Sequence, residues 1–381
     1  MSGGIVQLVA TGAQDTWLTG KPEVSFYRSS YKRYTHYANS PERQTIQGNP
    51  SAGNISTIRL EKKGDLINYM YLIARDSTGA LIPGINWTNV IDKIELLIGG
   101  QIVDTQDITW MSNVEAVTGA QNFSQRYLNN NAAGPNNVTN GFLPLKFFFC
   151  KDWNVSLPLV ALQYHDVEIR ITWSTTLGST LALTGLPASA TYASFQYEAW
   201  TNFVYLDQAE REYFANTPMD LLITQLNRIP IATGNMQELA LAHPIKFLAF
   251  SANNYTNSYG VGATQIPAVN YQFKTQINGV DIGDSRSMFQ WIDVPQYYHT
   301  PYGYNHNGAT ANVALISYCL DTSKLQPTGT LNFSRIDTYR IVAPAGVSLS
   351  TLAGGNGRYF YAMNYNVLRI KDGMGGLLYS N

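Results

Sequence analysis

The sequence predicts an all-β protein made of two tandem eight-stranded antiparallel jelly-roll sandwiches with short connecting helices. Two observations carry this expectation. Many short runs of strand pattern are separated by long polar loops, with few helical patterns between them, as in antiparallel sandwiches. The block from Cys150 to Ile171 also recurs in looser form from Cys319 to Ile341. Cys150-Lys151-Asp152 answers to Cys319-Leu320-Asp321, Leu157-Pro158-Leu159 to Leu325-Gln326-Pro327, and Glu168-Ile169-Arg170-Ile171 to Thr338-Tyr339-Arg340-Ile341. A second echo keeps the same order: Ile94 to Val103 around Gly99-Gly100, and Gln276 to Ile282 around Asn278-Gly279. Solenoid repeats run about 20 to 50 residues, so a spacing this long marks two copies of a whole domain.

Residues 1–24 read as an N-terminal arm, apolar at Ile5, Val6, Leu8, Val9, Trp17 and Leu18 but broken by Gly3-Gly4, Gly12 and Gly20. Such an arm packs along its own domain or along a neighbour. The first jelly roll is expected over 25–207. Ile58 and Leu60 alternate with Arg59 and Glu61, the period of a half-buried strand. Leu66 to Ala74 reads as a strand covered on both faces, and Val90 to Val103 as a hairpin turning at Gly99-Gly100. Ile108, Met111, Val114 and Val117 recur at helical spacing and stop at Gly119. An Asn-rich loop follows, and Phe147-Phe148-Phe149 is expected to resume the sheet. Val167, Ile169, Ile171 and Trp173 form the cleanest alternating strand, and the half closes with a strand over 197–205. A linker helix over 208–220 is expected, with Asp207 as cap, Glu210 three residues on and Pro218 as stop.

The second jelly roll, 221–381, repeats the programme: strands at 245–250, around Asn278-Gly279, at 313–320, 331–342 and 359–370. A short helical piece near 285–291 precedes a loop over 296–310.

Composition narrows the function. Charged residues are only 13%, and the 25 Tyr equal all Lys and Arg combined. Tyrosine serves contacts that are apolar at one end and wet at the other. A weakly charged, Tyr-rich surface suits a protein packed against copies of itself, and a lone sandwich with polar loops fits the same composition. Net charge is −1, without the basic cluster that direct nucleic-acid binding demands. Two Cys give neither a disulfide framework nor a metal spacing. No apolar run reaches the roughly 18 residues of a membrane span, so no membrane insertion is expected. No signal peptide is read, because the N-terminus lacks its charged and apolar regions, and no N-myristoylation motif, since residue 2 is Ser; the chain reads as soluble.

Few residues carry a chemical signal. Asp166 and Glu168 sit two apart on one strand face, a spacing that some jelly-roll glycoside hydrolases use for acid and nucleophile. Arg170 on the same face reads instead as part of a salt-bridged edge. Gly373-Met374-Gly375-Gly376 has no helix after it to hold phosphate. His299 and His306 lack partners at zinc spacing, and His243 precedes Pro244. No catalytic, cofactor-binding or metal residues are assigned, and the chain is read as no enzyme. A carbohydrate-binding or carbohydrate-active jelly roll is the alternative.

Four ordered blocks give a resemblance. Gly3-Gly4-Ile5-Val6-Gln7-Leu8-Val9-Ala10, with Gly12-Ala13-Gln14-Asp15, Leu18-Thr19-Gly20 and Tyr31-Lys32-Arg33, resembles the start of the major capsid proteins of nucleocytoplasmic large DNA viruses. So do Leu162-Gln163-Tyr164-His165-Asp166-Val167 and Gln326-Pro327-Thr328-Gly329-Thr330-Leu331-Asn332-Phe333-Ser334-Arg335-Ile336-Asp337. The ending Asn364-Tyr365-Asn366-Val367-Leu368-Arg369-Ile370, with Gly373-Met374-Gly375-Gly376-Leu377, is similar to that family's last strand and tail. The resemblance implies a vertical double jelly roll and a homotrimer forming a pseudo-hexagonal capsomer. It further implies neighbouring capsomers tiled into an icosahedral virion shell assembled in the host cytoplasm, with minor capsid proteins beneath. The chain is short for the family, whose outward loops carry its extra length, so a large outward tower is not expected. Some members carry sugars attached by viral machinery. Of seven Asn-X-Ser/Thr sites, Asn122, Asn137 and Asn254 in loops are the candidate glycosylation sites.

Overall fold

The computed structural model describes residues 12–82, 85, 87–119, 142–180, 191–251, 272–301, 313–353 and 358–379. The chain divides into two compact units, Met1–His36 and Tyr37–Asn381. In the first, the Asp15 carboxylate accepts the Gly12 N–H at 3.0 Å, closing a turn that leads into one helical turn, α1 (Thr16–Thr19).

Among the described residues, the second unit holds four antiparallel sheets. Its first half contains β1 (Tyr37–Gln44), β2 (Ile46–Gln47), β3 (Ile55–Arg59), β4 (Leu66–Arg75), β5 (Ile91–Ile98), β6 (Gln101–Gln106), β7 (Phe142–Pro144), β8 (Leu157–Pro158), β9 (Val167–Trp173) and β10 (Gln196–Leu206). One sheet runs β1-β10-β4-β7 with β8 also on β4; the other runs β2-β3-β9-β5-β6. The later half contains β11 (Met219–Pro230), β12 (Met236–Glu238), β13 (Pro244–Ser251), β14 (Gln272–Ile277), β15 (Val280–Asp281), β16 (Arg286–Ser287), β17 (Val313–Ser317), β18 (Leu331–Asn332), β19 (Tyr339–Val342), β20 (Tyr359–Lys371) and β21 (Met374–Leu377). Its sheets run β11-β20-β13-β17, with β18 on β13 and β21 on β20, and β12-β19-β14-β15, with β16 on β14.

The two halves repeat one topology. β1, β10, β4 and β7 stand in the order of β11, β20, β13 and β17, while β3, β9, β5 and β6 stand in that of β12, β19, β14 and β15. The duplicated motifs fall on matching strands, with 168–171 in β9 and 339–341 in β19. The two echoed turns match as well. Gly99 and Gly100 have φ of 57° and 81°, and Asn278 and Gly279 have 47° and 80°. Two consecutive left-handed residues are what a two-residue type I′ hairpin requires.

Several elements differ from the sequence reading. Phe148–Lys151 is one helical turn, α3, rather than strand. A continuous apolar run does not distinguish the two, and here all three Phe are buried. The stretch 331–342 breaks into β18, a 3-10 turn at Phe333–Arg335 and β19, because the Asn332 side chain accepts the Ser334 N–H at 3.1 Å and starts the turn. The helical piece near 285 is α5 (Met288–His299), carried past Pro295. Gln290 Oε1 accepts the Ser287 N–H at its start. Helical spacing over 108–117 becomes a π turn at Trp110–Val114 running into α2 (Glu115–Thr118). It ends where a Cβ on Gly119 would meet the Glu115 carbonyl at 2.7 Å. A further short helix, α6, spans Leu349–Ala353.

Asp207 caps α4 (Gln208–Asn216), accepting the Gln208 N–H at 2.8 Å. One hydrophobic core fills the later half. A second fills the first half and also takes in Ile223, Leu226, Phe247, Val313, Leu315, Tyr361 and Met363 from the β11-β20-β13-β17 sheet. That sheet therefore buries both faces, one in each core. This explains why β13 is buried from Ile245 through Ser251 without alternation.

Candidate functional site

Polar groups, fixed by secondary structure, join the two halves. As β6 ends, Asp104 and Asp107 point into the seam. Asp104 Oδ1 accepts the Leu226 N–H of β11 at 2.9 Å, and the Gln225 side chain donates to the Val103 carbonyl. Asp107 accepts from the Tyr361 hydroxyl of β20 at 3.0 Å to each carboxylate oxygen, from Arg228 at 3.2 Å and from the Trp110 N–H at 2.7 Å. Burial pushes both carboxyls above the usual range, against these donors. Trp110 stacks on Phe247 with ring centroids 6.3 Å apart, and Tyr361 lies 5.6 Å away.

A second contact comes from the C-terminal strand. The Tyr164 N–H donates to the Gly373 carbonyl at 2.9 Å, and His165 Nδ1 lies 2.8 Å from the Gly375 carbonyl. A Cβ on Gly373 would meet the Tyr164 ring at 2.6 Å, and one on Gly375 would meet Leu162 at 2.6 Å. The glycine cluster is thus a close-approach surface between the halves. His165, Asp104 and Asp107 carried no sequence signal of this role; the Gly cluster beside the last strand was the available hint.

The β10-β4-β7 face is aromatic. Tyr71 stacks on Trp200 at 6.5 Å with planes 5° apart, and Phe142 meets Tyr71 edge-on at 5.9 Å. Tyr69, Phe142 and Leu81 are each about two-fifths or more exposed. Contiguous exposed apolar surface of this kind marks an interaction surface.

The other chemical signals resolve structurally. Asp166 forms ion pairs with Arg59 and Lys62, and Arg170 pairs with Glu95 at 3.6 Å, but β9 lies between β3 and β5, so these charges form an ion-paired face of an interior strand rather than the expected edge. His299 Nδ1 is buried with no hydrogen-bond partner among the described residues. His306 and all three candidate glycosylation sites, Asn122, Asn137 and Asn254, lie outside the described residues. Among the described residues no group of His, Cys, Asp and Glu could hold a metal ion. Both cysteines are free, and burial pushes the Cys150 thiol up to about 12.

Comparison with known proteins places this architecture. Residues 25–207 match the family described as "Major capsid protein N-terminus", and residues 210–376 match "Large eukaryotic DNA virus major capsid protein". The chain is 30% identical to the major capsid protein of Pyramimonas orientalis virus and 30% identical to that of Paramecium bursaria Chlorella virus 1, each over the full length of both chains. Among solved structures it is similar to the PBCV-1 virus capsid, with a TM-score of 0.71 at 27% identity, covering 94% of this chain and all of that one. A double jelly roll, duplicated in sequence and topology and matched from end to end, belongs to the family of major capsid proteins of large eukaryotic DNA viruses, the structural subunits of their capsids.

Proposed function

We propose that three copies of this chain form a pseudo-hexagonal capsomer, and that such capsomers tile an icosahedral shell assembled in the host cytoplasm. The observation that carries this reading is the fused pair. Two halves of one topology are locked by a buried polar seam and a shared sheet, so each chain presents two similar outlines and three chains approximate a hexagon. The two sandwiches run over 25–207 and 221–381, with the 208–220 linker, which carries α4 and the first residues of β11, as the joint and 1–24 as an arm that contacts partners beneath the capsomer. Minor capsid proteins under the shell and neighbouring capsomers are the partners. In this reading the chain makes no direct contact with nucleic acid, does not insert into a membrane, and acts as a building block rather than an enzyme.

The aromatic β10-β4-β7 face supplies contact surface for a second copy. Shells are built from many moderate contacts, reversible enough to correct errors, and Tyr-rich surfaces of ordinary interface size suit that. Sizing with light scattering tests the trimer. Glycans at Asn122, Asn137 or Asn254 are tested by intact-mass measurement on virion-derived protein: a mass equal to the bare sequence removes them.

A further inference from the structure

A cavity of about 370 Å³ lies where the two halves meet. Its walls come from α2 and α3 of the first half and from β13 and the 322–326 segment of the second. Lys146, Lys151, Lys246 and Lys324 line it, against the carboxylates of Glu115 and Asp152. Glu115 is shared by two of these lysines, at 3.3 Å from Lys146 and 3.7 Å from Lys151. Lys324 pairs with Asp321 at 3.5 Å, and Asp152 accepts from the backbone and side-chain N–H of Asn154.

Lys246 is different. It is 3% exposed, its ammonium donates to the Lys324 carbonyl at 2.7 Å, and no carboxylate lies within ion-pair distance among the described residues. A buried charge is ordinarily paired, because an uncompensated one is costly. Burial holds its pKa down to about 8, so the group is still mostly charged at pH 7. A second observation is independent of the lysines. The Trp110 ring lines the same cavity, and its indole N–H is buried without an acceptor among the described residues. Lys246 also lies 5.6 Å from the Tyr365 ring, so the donors lack only an anion; hydroxyls of Thr118, Thr224, Thr322 and Ser323 share the wall with Phe148, Phe247, Leu325 and Met363.

We propose that this cavity binds a small phosphate-bearing molecule, whose oxygens are held by Lys146, Lys151 and Lys246 and which ties the two sandwiches together. A volume of 370 Å³ is at the small end of ligand pockets, which run about 300 to 1,000 Å³. Lysine binds phosphate as a point charge and needs no fixed fork geometry. Several ammonium groups around one volume favour a multiply charged phosphate over a single carboxylate. The inference goes beyond the capsomer reading and does not depend on it.

The test uses the full chain in phosphate-free buffer at pH 7, titrated with tripolyphosphate by calorimetry and followed by thermal unfolding. Sodium citrate and sodium chloride at matched ionic strength serve as comparison arms. The expected result is one saturable site per chain and an unfolding midpoint that climbs with ligand concentration, as binding to the folded state alone requires. Lys246→Met weakens binding at least tenfold. Lys151 is less buried, so Lys151→Met supplies a second readout with the same direction if the first variant does not fold. Absence of a shift beyond that of chloride overturns the proposal, as does equal binding by a folded variant. Preference for citrate overturns the phosphate assignment, and heat released only by chains that have not associated means that an acidic side chain of a second copy fills the cavity instead.

Discussion

Asp107 is the residue on which the seam turns, because it gathers donors from both halves into a buried carboxylate. Replacing Tyr361 with Phe removes a hydroxyl that donates to both carboxylate oxygens. Hydrogen bonds to charged groups contribute about 1.5–3 kcal/mol, so the variant should lose about that much stability in chemical denaturation. Asp107→Ala should cost about 3–5 kcal/mol, since it strands Arg228, which is largely buried. Lys246 gives a pH signature. Its folded pKa, lowered chiefly by burial and further by Lys151, with Cys319 and Asp321 opposing, lies below its unfolded value of 10.5. Between about pH 8 and 10.5 the unfolded chain therefore holds more protons, and stability rises with pH. Below about 8 both states are protonated and the cost of burying the charge is constant. Wild type should thus gain stability relative to Lys246→Met on going from pH 8 to 10.5 in anion-free buffer, as read from denaturation midpoints. None of these residues stood out in the sequence. Asp104, Asp107 and Lys246 have the look of ordinary strand-edge charges until a second sheet is laid against them.

At the scale of elements, the hairpins were the legible part. Gly99-Gly100 and Asn278-Gly279 state their turn type directly, since few other pairs tolerate two left-handed residues in succession. The two glycines of the first hairpin nevertheless differ. A Cβ on Gly99 would strike the His165 ring at 2.5 Å, whereas one on Gly100 meets nothing within 4 Å. Gly99→Ala should therefore lower stability by at least about 1–2 kcal/mol, the cost of the left-handed backbone alone, while Gly100→Asn should leave the thermal midpoint nearly unchanged. Elsewhere local pattern misled. The Phe147–Phe149 run is apolar all round because it is buried on every side, which erases the period that separates strand from helix. The break in 331–342 comes from one Asn side chain capping a turn, a local bond that outweighs the β-branched and aromatic flanks.

For the whole molecule, the duplication was readable because the same strands carry the same motifs, and the order of strands in the sheets repeats accordingly. What the sequence withheld is how the pair is joined. The β11-β20-β13-β17 sheet serves two cores at once, and the C-terminal strand packs back on Tyr164 and His165 through bare glycines. This arrangement makes one fused body of Tyr37–Asn381 rather than two tethered beads. Charges placed on the aromatic face, as in Tyr69→Asp with Phe142→Asp, should release single chains while leaving the circular dichroism of the fold intact, because both side chains are substantially exposed. The most direct test of the account is the molar mass of the purified chain by sizing with light scattering. A mass three times the 42.3 kDa of one chain, stable to dilution, is predicted; a single-chain mass at every concentration would contradict it.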